Sequence, residues 1–550
     1  VGAKSPVTGG FGAAEAGGGF PAQLKRAGFD ALIVEGAADS PVYLWIADGA
    51  CEIRDASALW GRGTRETEAT IRAEVGQERA ELAMIGPGGE NMVQYACVMH
   101  GLKDAAGRTG LGAVMGSKRL KAVAAFGSES VDGADADTVR AMARRAAQEV
   151  REGTRAAWAA RAGTGGEGLE DGVLSGNMPI RNFRDGEFPE ISGLEYIMQK
   201  IGVKMEGCWA CAVRCKKVVQ AEAPYAVDPI YGGPEYETIG SLGSTCGVSD
   251  IVAVSRANQL CNEYSLDTIG TGVTIAFAME CYENGLLTRE DTGGLDLRFG
   301  NGEAMLEMVE RIARREGLGD VLAGGLLPAA ARIGRGAERY AVHAKGQAQP
   351  MHEPRLKRGL AIGYAVSPTG ADHCHSLHDT GLVAAGEDGL IRHGGLRGMG
   401  ILEPMALESL GPEKVRATMY DSMDSIMRNC LPICTFTGWS LTDLTDMVRA
   451  ATGWDVTDYE MLRVGERAMT LARTFNMREG LTARDDALCP RSYGPTRGGA
   501  LADGGIDPED LHEAMQTYYG MMGWDRETGV PTPEKLHELG VGWAVEHLPR

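Results

Sequence analysis

The sequence of 550 residues predicts an α+β fold, in which a β-rich N-terminal domain precedes two mainly helical domains. Residues 1–132 combine Gly-rich turns with short apolar or β-branched runs such as Val42–Ile46, a pattern typical of strands. The next segment, Asp137–Arg161, is rich in Ala, carries Arg and Glu at helical spacing and contains no Pro. It therefore predicts a long amphipathic helix and a domain boundary near residue 132.

The two helical domains are predicted to cover residues 133–345 and 346–550. In the first, segments such as Ala253–Tyr264 place apolar residues at helical spacing. The second begins with a stretch rich in Gly, Pro and His that extends to about Gly400, and helical sequence resumes at Glu403. A chain of this length is expected to divide, because single cores stop growing at roughly 250–300 residues.

Composition limits the classes of function. The net charge of −20 argues against nucleic-acid binding, which needs basic surfaces that neutralise phosphates. No apolar run reaches the roughly 18 residues of a membrane-spanning helix. Twelve cysteines are too sparse for a disulfide scaffold, which favours the cytoplasm. The chain starts at Val1 inside a Gly-rich run rather than at Met, so we expect the N-terminal domain to be incomplete.

Three cysteines, Cys208, Cys211 and Cys215, form a C-x2-C-x3-C motif that predicts a metal centre. The spacing differs from the C-x3-C-x2-C of radical-SAM enzymes and the C-x2-C-x2-C of ferredoxins, and a zinc ribbon would need a second close pair. An iron–sulfur cluster with a fourth ligand from elsewhere is the favoured interpretation. Structural zinc and buried free thiols remain the alternatives.

Further motifs follow in a fixed order along nearly the whole chain. They are Ile85–Asn91, Gly107–Lys118, Gly233–Thr238, Asn262–Gly270, Gly363–Ser367 with Gly370–His373, Thr452–Asp455 and Asn476–Gly480. Together with the cysteine motif they resemble the aldehyde ferredoxin oxidoreductase family. The resemblance implies a tungsten or molybdenum ion held by the dithiolenes of two pterins, with a magnesium ion as a candidate bridge between the pterin phosphates. It also implies a nearby 4Fe-4S cluster and a β-rich domain that carries the pterin base beneath two helical domains.

The fourth cluster ligand is expected in the last domain. The segment Asn429–Cys434 resembles the family pattern D-x-x-G-L-C, with Asn in place of Asp and Pro in place of Gly. This register makes Cys434 the ligand and Cys430 its rival, and it makes Asn429 and Ile433 pterin contacts.

A companion pattern, D-x-x-G-L-D, corresponds to Asn262–Asp267 and again begins with Asn. The resemblance makes Asn262, Leu266 and Asp267 pterin-binding residues. A neutral amide still hydrogen-bonds a pterin ring, because it offers a donor as well as an acceptor. The competing interpretation of Asn262 is a helix C-terminal cap.

Two Gly-rich turns are candidates for the pterin phosphates. Arg108, Thr109 and Gly110 precede a turn whose backbone N–H groups can approach an anion closely, and the resemblance assigns them to a phosphate. Glu90 and Asn91, after another Gly pair, are candidates of the same kind. Without the resemblance, such segments are ordinary turns.

Glu237 and His373 are the predicted catalytic residues, because the family pattern places a Glu and a His beside the metal. Glu237 would take a proton from water if burial raised its pKa towards neutrality, and His373 would donate a hydrogen bond to the substrate carbonyl. An ion pair with Arg and a core histidine are the alternatives. The close spacing of His352, His373, His375 and His378 favours a site.

The resemblance implies oxidation of a small aldehyde and water to a carboxylic acid. Electrons would leave through the cluster to a ferredoxin or an iron–sulfur subunit, and the protein would be a homodimer or part of a larger complex. The first alternative is the tungsten subunit of a class II benzoyl-CoA-type reductase acting on an aromatic acyl substrate, which the His-rich stretch from His375 to His393 favours. A second alternative is a non-catalytic electron-transfer subunit without pterin.

Overall fold

A computed structural model describes residues 1–383 and 396–549. Twelve strands are present in these ranges: β1 Gly2–Lys4, β2 Phe11–Ala13, β3 Val42–Ala47, β4 Ala50–Asp55, β5 Glu81–Met84, β6 Val98–His100, β7 Asp104–Ala106, β8 Leu120–Phe126, β9 Gly202–Glu206, β10 Lys216–Val219, β11 His343–Ala344 and β12 Gln347–Ala348. Six of them form one mixed sheet in the order β4-β3-β8-β5-β6-β7, with β3 and β8 parallel and the other pairs antiparallel.

The central strand of this sheet is β8. Its sequence is apolar apart from Lys121, and nearly all of it is buried, as expected for a strand covered on both faces. The hairpin β3–β4 closes through Asp48 and Gly49, both with positive φ (41° and 85°). An Asp-Gly pair is suited to this two-residue turn, because it adopts positive φ at low cost.

Helices make up most of the remaining chain. Their bounds are α1 Phe20–Arg26, α2 Thr64–Val75, α3 Pro87–Glu90, α4 Leu111–Ser117, α5 Ala136–Glu152, α6 Ala157–Ala162, α7 Leu169–Leu174, α8 Ile197–Ile201, α9 Tyr236–Thr238, α10 Ile251–Tyr264, α11 Thr268–Glu283, α12 Gly302–Arg314, α13 Leu318–Leu322, α14 Leu326–Ile333, α15 Arg358–Val366, α16 Pro412–Cys430, α17 Leu441–Thr452, α18 Asp458–Arg478, α19 Pro508–Met521 and α20 Pro533–Glu538. This arrangement of one N-terminal sheet followed by mainly helical sequence confirms the predicted fold class. Among the described residues, no helix is both long and apolar enough to cross a membrane.

The helix predicted over Asp137–Arg161 is divided in two. Helix α5 begins after Asp135, whose carboxylate accepts a hydrogen bond from the Thr138 backbone, and it ends where Gly153 adopts a left-handed conformation. Helix α6 then begins at Ala157. The periodicity therefore predicted the helical sequence correctly, but the glycine stops the helix.

Helices α10 and α11 form the centre of the largest apolar core. Helix α11 is buried over Ile269–Cys281, so it lies inside the protein rather than on its surface. Its close approach to the neighbouring turn requires Gly272, since a Cβ there would lie 2.5 Å from the Ser241 backbone. The second large core lies between α15, α16, α18 and α19 in the C-terminal part of the chain.

A buried ion pair joins α3 to the central strand of the sheet. The Lys121 ammonium contacts the Glu90 carboxylate and donates to the Arg62 carbonyl at 2.8 Å, while Glu90 also accepts from the Gly61 backbone at 2.5 Å. The two charged side chains are 0% and 2% exposed. Burial raises the pKa of Glu90 and lowers that of Lys121, and each opposite charge partly offsets these shifts.

Breaking this pair should destabilise the protein. Lys121→Met leaves the Glu90 carboxylate buried without its partner, at a cost of about 3–5 kcal/mol. We expect the thermal unfolding midpoint to fall by several degrees. The double variant Lys121→Met with Glu90→Gln should recover part of the loss, because no buried charge remains. An unchanged midpoint for Lys121→Met alone would contradict this structural role.

Candidate functional site

A cleft lies where the N-terminal sheet meets residues from both helical parts of the chain. Its lining includes Ala13–Glu15, Lys103, Arg108, Lys216, Lys217, Glu235, Glu237, Asn262, Leu266, Asp267 and Asp372–Cys374. Six of the residues predicted from the sequence therefore come together here: Arg108, Glu237, Asn262, Leu266, Asp267 and His373. They derive from segments that are far apart in the chain, as the residues that line a ligand-binding cleft commonly do.

Glu237 belongs to the short helix α9, which continues into a π-helical turn over Ile239–Gly243. Such turns occur frequently at functional sites. Gly240 allows Met351 to pack closely, because a Cβ at Gly240 would lie 2.6 Å from the Met351 Cγ. The Met351 backbone N–H then donates to Glu237 Oε2 at 2.8 Å, and the Tyr236 hydroxyl donates to the Met351 carbonyl at 2.8 Å. The carboxylate is thus held by the backbone.

The second oxygen of Glu237 lies between two imidazoles. Oε1 is 3.1 Å from Nε2 of His352 and 3.6 Å from Nε2 of His373. Among the described residues, Oε1 accepts no well-aligned hydrogen bond, and Nδ1 of His373 likewise has no partner. A buried carboxylate oxygen and a buried imidazole nitrogen beside the cleft are therefore without a well-aligned hydrogen bond within the described chain.

The pKa of Glu237 moves in the direction opposite to our expectation. Burial raises it, but the charge of His373, the contact with His352 and the Met351 N–H outweigh burial and lower the pKa to about 2. Glu237 is consequently ionised at neutral pH. A carboxylate this acidic is a weak base, so it acts mainly as a fixed negative charge and hydrogen-bond acceptor.

Arg108 occupies another wall of the cleft. Its Nη2 donates to the carbonyls of Ala348 at 2.5 Å and Ala371 at 3.0 Å, and its Nε lies 3.7 Å from Asp267 Oδ2. Nη1 is buried without a partner within the described chain. A buried guanidinium N–H in a cleft is a ready donor to an anionic or polar ligand.

Thr109 and Gly110 shape the turn after Arg108 rather than line the cleft. Both have positive φ, 66° and 79°, and a Cβ at Gly110 would lie 2.0 Å from the Gln94 carbonyl oxygen. The Thr109 carbonyl accepts a hydrogen bond from Ser5 Oγ at 2.8 Å. The turn therefore orients Arg108 and starts helix α4.

Asn262 and Asp267 lie at the junction of α10 and α11. Asn262 donates to the Tyr231 carbonyl at 3.1 Å, and the helix cap is Ser265, so the alternative of a C-terminal cap at Asn262 does not apply. Asp267 caps α11 by accepting from the Ile269 and Gly270 backbones, each at 3.0 Å. Both side chains also line the cleft.

Besides Thr109 and Gly110, four more predicted cofactor-binding residues lie outside the cleft lining: Glu90, Asn91, Asn429 and Ile433. Glu90 is paired with Lys121, and Asn91 donates to the Ala313 carbonyl at 2.8 Å. Ile433 packs against the apolar cluster around Met427. For Glu90, Asn91 and Ile433 these protein partners supply a structural role, and they do not support the predicted pterin contact.

The three cysteines of the motif lie on the loop between β9 and β10. Burial is the main cause that raises the pKa of Cys434, and the charge of Cys211 raises it further. Burial likewise raises the pKa of Cys215 to about 12, and the charge of Cys434 contributes to this rise. The structure therefore brings Cys434 to the motif loop. Burial and then the charge of Glu15 raise the pKa of Cys430, which stays the rival ligand that the variants below separate.

Burial raises the pKa of Cys208 and Cys215, so these thiols need a bound cation to ionise. Cys215 is followed by Lys216, which lines the cleft.

Three residues of the site had no role assigned from the sequence: His352, Lys357 and His378, of which the two histidines belong to the cluster that favoured a site. His352 stacks on Tyr236 with ring centroids 5.0 Å apart and stands perpendicular to His378 at 4.5 Å. The clustering of histidines was visible in the sequence, but it did not reveal which of them contacts Glu237. His393, the end of the His-rich stretch, lies outside the described residues.

Two family models match the chain. The model for the N-terminal domain of aldehyde ferredoxin oxidoreductase matches residues 1–127, and the model for domains 2 and 3 of the same enzyme matches residues 141–541. The two matches together cover almost the whole sequence.

Three similar proteins illustrate the range of the comparison. A tungsten-containing aldehyde ferredoxin oxidoreductase of Pyrococcus furiosus is 36% identical, covering 98% of this chain and 86% of the relative. An aliphatic sulfonate oxidoreductase WOR-like subunit of the same organism is 32% identical, covering 96% and 83%. The BamBC active-site complex of benzoyl coenzyme A reductase with 1,5-dienoyl-CoA superimposes with a TM-score of 0.81 and 25% identity, covering 99% of this chain and 86% of that chain.

The cysteine arrangement gives a matched pair of variants. Cys434→Ser should lower the iron content from about four atoms per chain, because a cluster loses one of its four thiolates. Cys430→Ser, four residues away at the end of α16, should retain the iron. Iron analysis and visible absorption of the purified variants measure both. Loss of iron only in Cys430→Ser would reverse the assignment.

Proposed function

The chain belongs to the aldehyde ferredoxin oxidoreductase family, and we propose that it oxidises an aldehyde and water to a carboxylic acid, two electrons and two protons. Family membership makes it an oxidoreductase of the tungsten-pterin type. The observation that carries the aldehyde reaction is the ionised Glu237, whose Oε1 lies 3.1 Å from Nε2 of His352 and 3.6 Å from Nε2 of His373 in the cleft.

The residues of the cleft fit a tungsten pterin. The unpartnered Nη1 of Arg108 is suited to a pterin phosphate or carbonyl, and the amide of Asn262 and the carboxylate of Asp267 are suited to the ring nitrogens. When bound, the tungsten centre supplies a two-electron acceptor. Molybdenum is the alternative to tungsten in this proposal. The proposal also includes a magnesium ion at the pterin phosphates.

The chain's own groups handle water and substrate. Glu237 Oε1 would accept a hydrogen bond from a water molecule and orient its oxygen towards the aldehyde carbon. His373 would donate a hydrogen bond to the aldehyde oxygen, on which negative charge develops as water adds. Because the pKa of Glu237 is about 2, the carboxylate would hold a proton only briefly before passing it on.

Electrons would leave through a 4Fe-4S cluster on Cys208, Cys211, Cys215 and Cys434. The motif loop supports this route, since Cys215 adjoins Lys216, which lines the cleft. A ferredoxin or an iron–sulfur subunit in the cytoplasm would then accept them one at a time. Assembly as a homodimer or within a larger complex belongs to the same proposal.

The second candidate is reduction of an aromatic acyl-CoA, as in the class II benzoyl-CoA reductases. The structural similarity to the BamBC complex over 99% of this chain favours it. In that case the imidazoles near Glu237 would deliver protons to a ring instead of orienting water. The higher identity to the aldehyde enzymes makes aldehyde oxidation the leading proposal.

Turnover with defined substrates separates the two candidates. The purified holoenzyme should reduce a viologen dye when an aldehyde is added, and Glu237→Gln should lower kcat by on the order of 10²–10⁴-fold while metal content is retained. The amide keeps the size of the side chain but removes its charge. Dye turnover that depends on an aromatic acyl-CoA instead would replace the proposal, and an active Glu237→Gln variant would dismiss Glu237.

A further inference from the structure

Lys357 is a buried lysine that connects two histidines of the cleft. It precedes helix α15 and is 3% exposed. Its Nζ lies 3.4 Å from Nδ1 of His352 and 3.4 Å from Nδ1 of His378. One ammonium group therefore contacts two imidazoles, and in each ring the contact is with Nδ1.

The chemistry of these contacts fixes where the imidazole protons reside. An ammonium has only donors, so each Nδ1 in contact with it must be an acceptor. A neutral imidazole with an unprotonated Nδ1 carries its proton on Nε2. Burial lowers the pKa of His352 to about 4 and that of His378 well below its usual value, with the charge of Lys357 contributing, so both rings are neutral near pH 7.

The Nε2 atoms of both rings face groups that can only accept. His352 Nε2 is 3.1 Å from Glu237 Oε1, and His378 Nε2 is 3.0 Å from the carbonyl oxygen of His373. Lysine at the centre can only donate, and a carboxylate and a carbonyl at the two ends can only accept. The network therefore has a single consistent direction, outward from Lys357.

We propose that Lys357 is a positioning residue for the reaction, which fixes the Nε2–H tautomers of His352 and His378 and thereby orients Glu237 and His373. This inference rests on the proposed function, because it assigns Lys357 a role at the same site. Lys357 contacts neither reacting group directly. It acts through one imidazole on the carboxylate and through the other on the backbone of His373.

The charge of Lys357 titrates in an accessible range. Burial lowers its pKa to about 8, while the charges of Asp379 and Glu237 raise it. Asp379 is already engaged, since it accepts from Lys414 Nζ at 2.7 Å and from the Gly359 backbone at 2.7 Å. The directing ammonium is therefore present below about pH 8 and lost above it.

Kinetics against pH provide the first test. Wild-type kcat should fall as pH rises through about 8. At pH 7 the kcat of Lys357→Met should be on the order of 10–100-fold below that of wild type, and it should show no such fall with pH. Lys357→Arg, which stays charged, should recover part of kcat and also lack the fall. Lys121→Met is the control, because it removes another buried lysine but should keep the wild-type pH profile. Wild-type kcat and profile in Lys357→Met would overturn the proposal.

Stability against pH provides a test that needs no turnover. The folded pKa of Lys357, about 8, lies below the unfolded value near 10.5, so the unfolded chain binds more protons between these values. Wild-type unfolding temperature should therefore gain from this group as pH rises from 8 to 10, and Lys357→Met should lack that gain relative to wild type. The difference appears whether or not aldehydes are oxidised. Identical pH dependences for wild type and Lys357→Met would overturn the assignment of this titration to Lys357.

Discussion

The buried negative charge of Glu237 is the constraint on which the rest of the site depends. A carboxylate removed from water is strongly unfavourable unless donors surround it. Here the Met351 backbone N–H donates to Oε2 at 2.8 Å, and Nε2 of His352 and Nε2 of His373 lie 3.1 and 3.6 Å from Oε1. They reach Glu237 only because the C-terminal segments pack onto the π-helical turn, so folding and assembly of the site are one event.

The same packing places the cysteine motif beside the cleft. The hairpin β9–β10 carries three cysteines on its loop, and its second strand contributes Lys216 and Lys217 to the cleft wall. The turn after α16 brings Cys434 to that loop from the other end of the chain. A cluster formed there would hold the two segments together, in addition to accepting electrons, since metal binding contributes to folding free energy.

Local signals in the sequence predicted the elements well and the environment of each side chain poorly. Apolar periodicity located α10 and α11, and the family motifs named Arg108, Asn262, Asp267, Glu237 and His373, all of which line one cleft. The condition for Glu237 as a base, a pKa raised by burial, is not met, because imidazoles more than a hundred residues away lower the pKa. Glu90 lay in a Gly-rich turn, but its partner Lys121 is in a different element, so the ion pair could not be read from the turn.

The central claim is that the cleft beside Glu237 holds a tungsten pterin and that the four cysteines hold an iron–sulfur cluster. Metal analysis of the purified protein tests it most directly. The account predicts about one tungsten or molybdenum and about four irons per chain. Iron without either heavier metal, or zinc in place of iron, would contradict it.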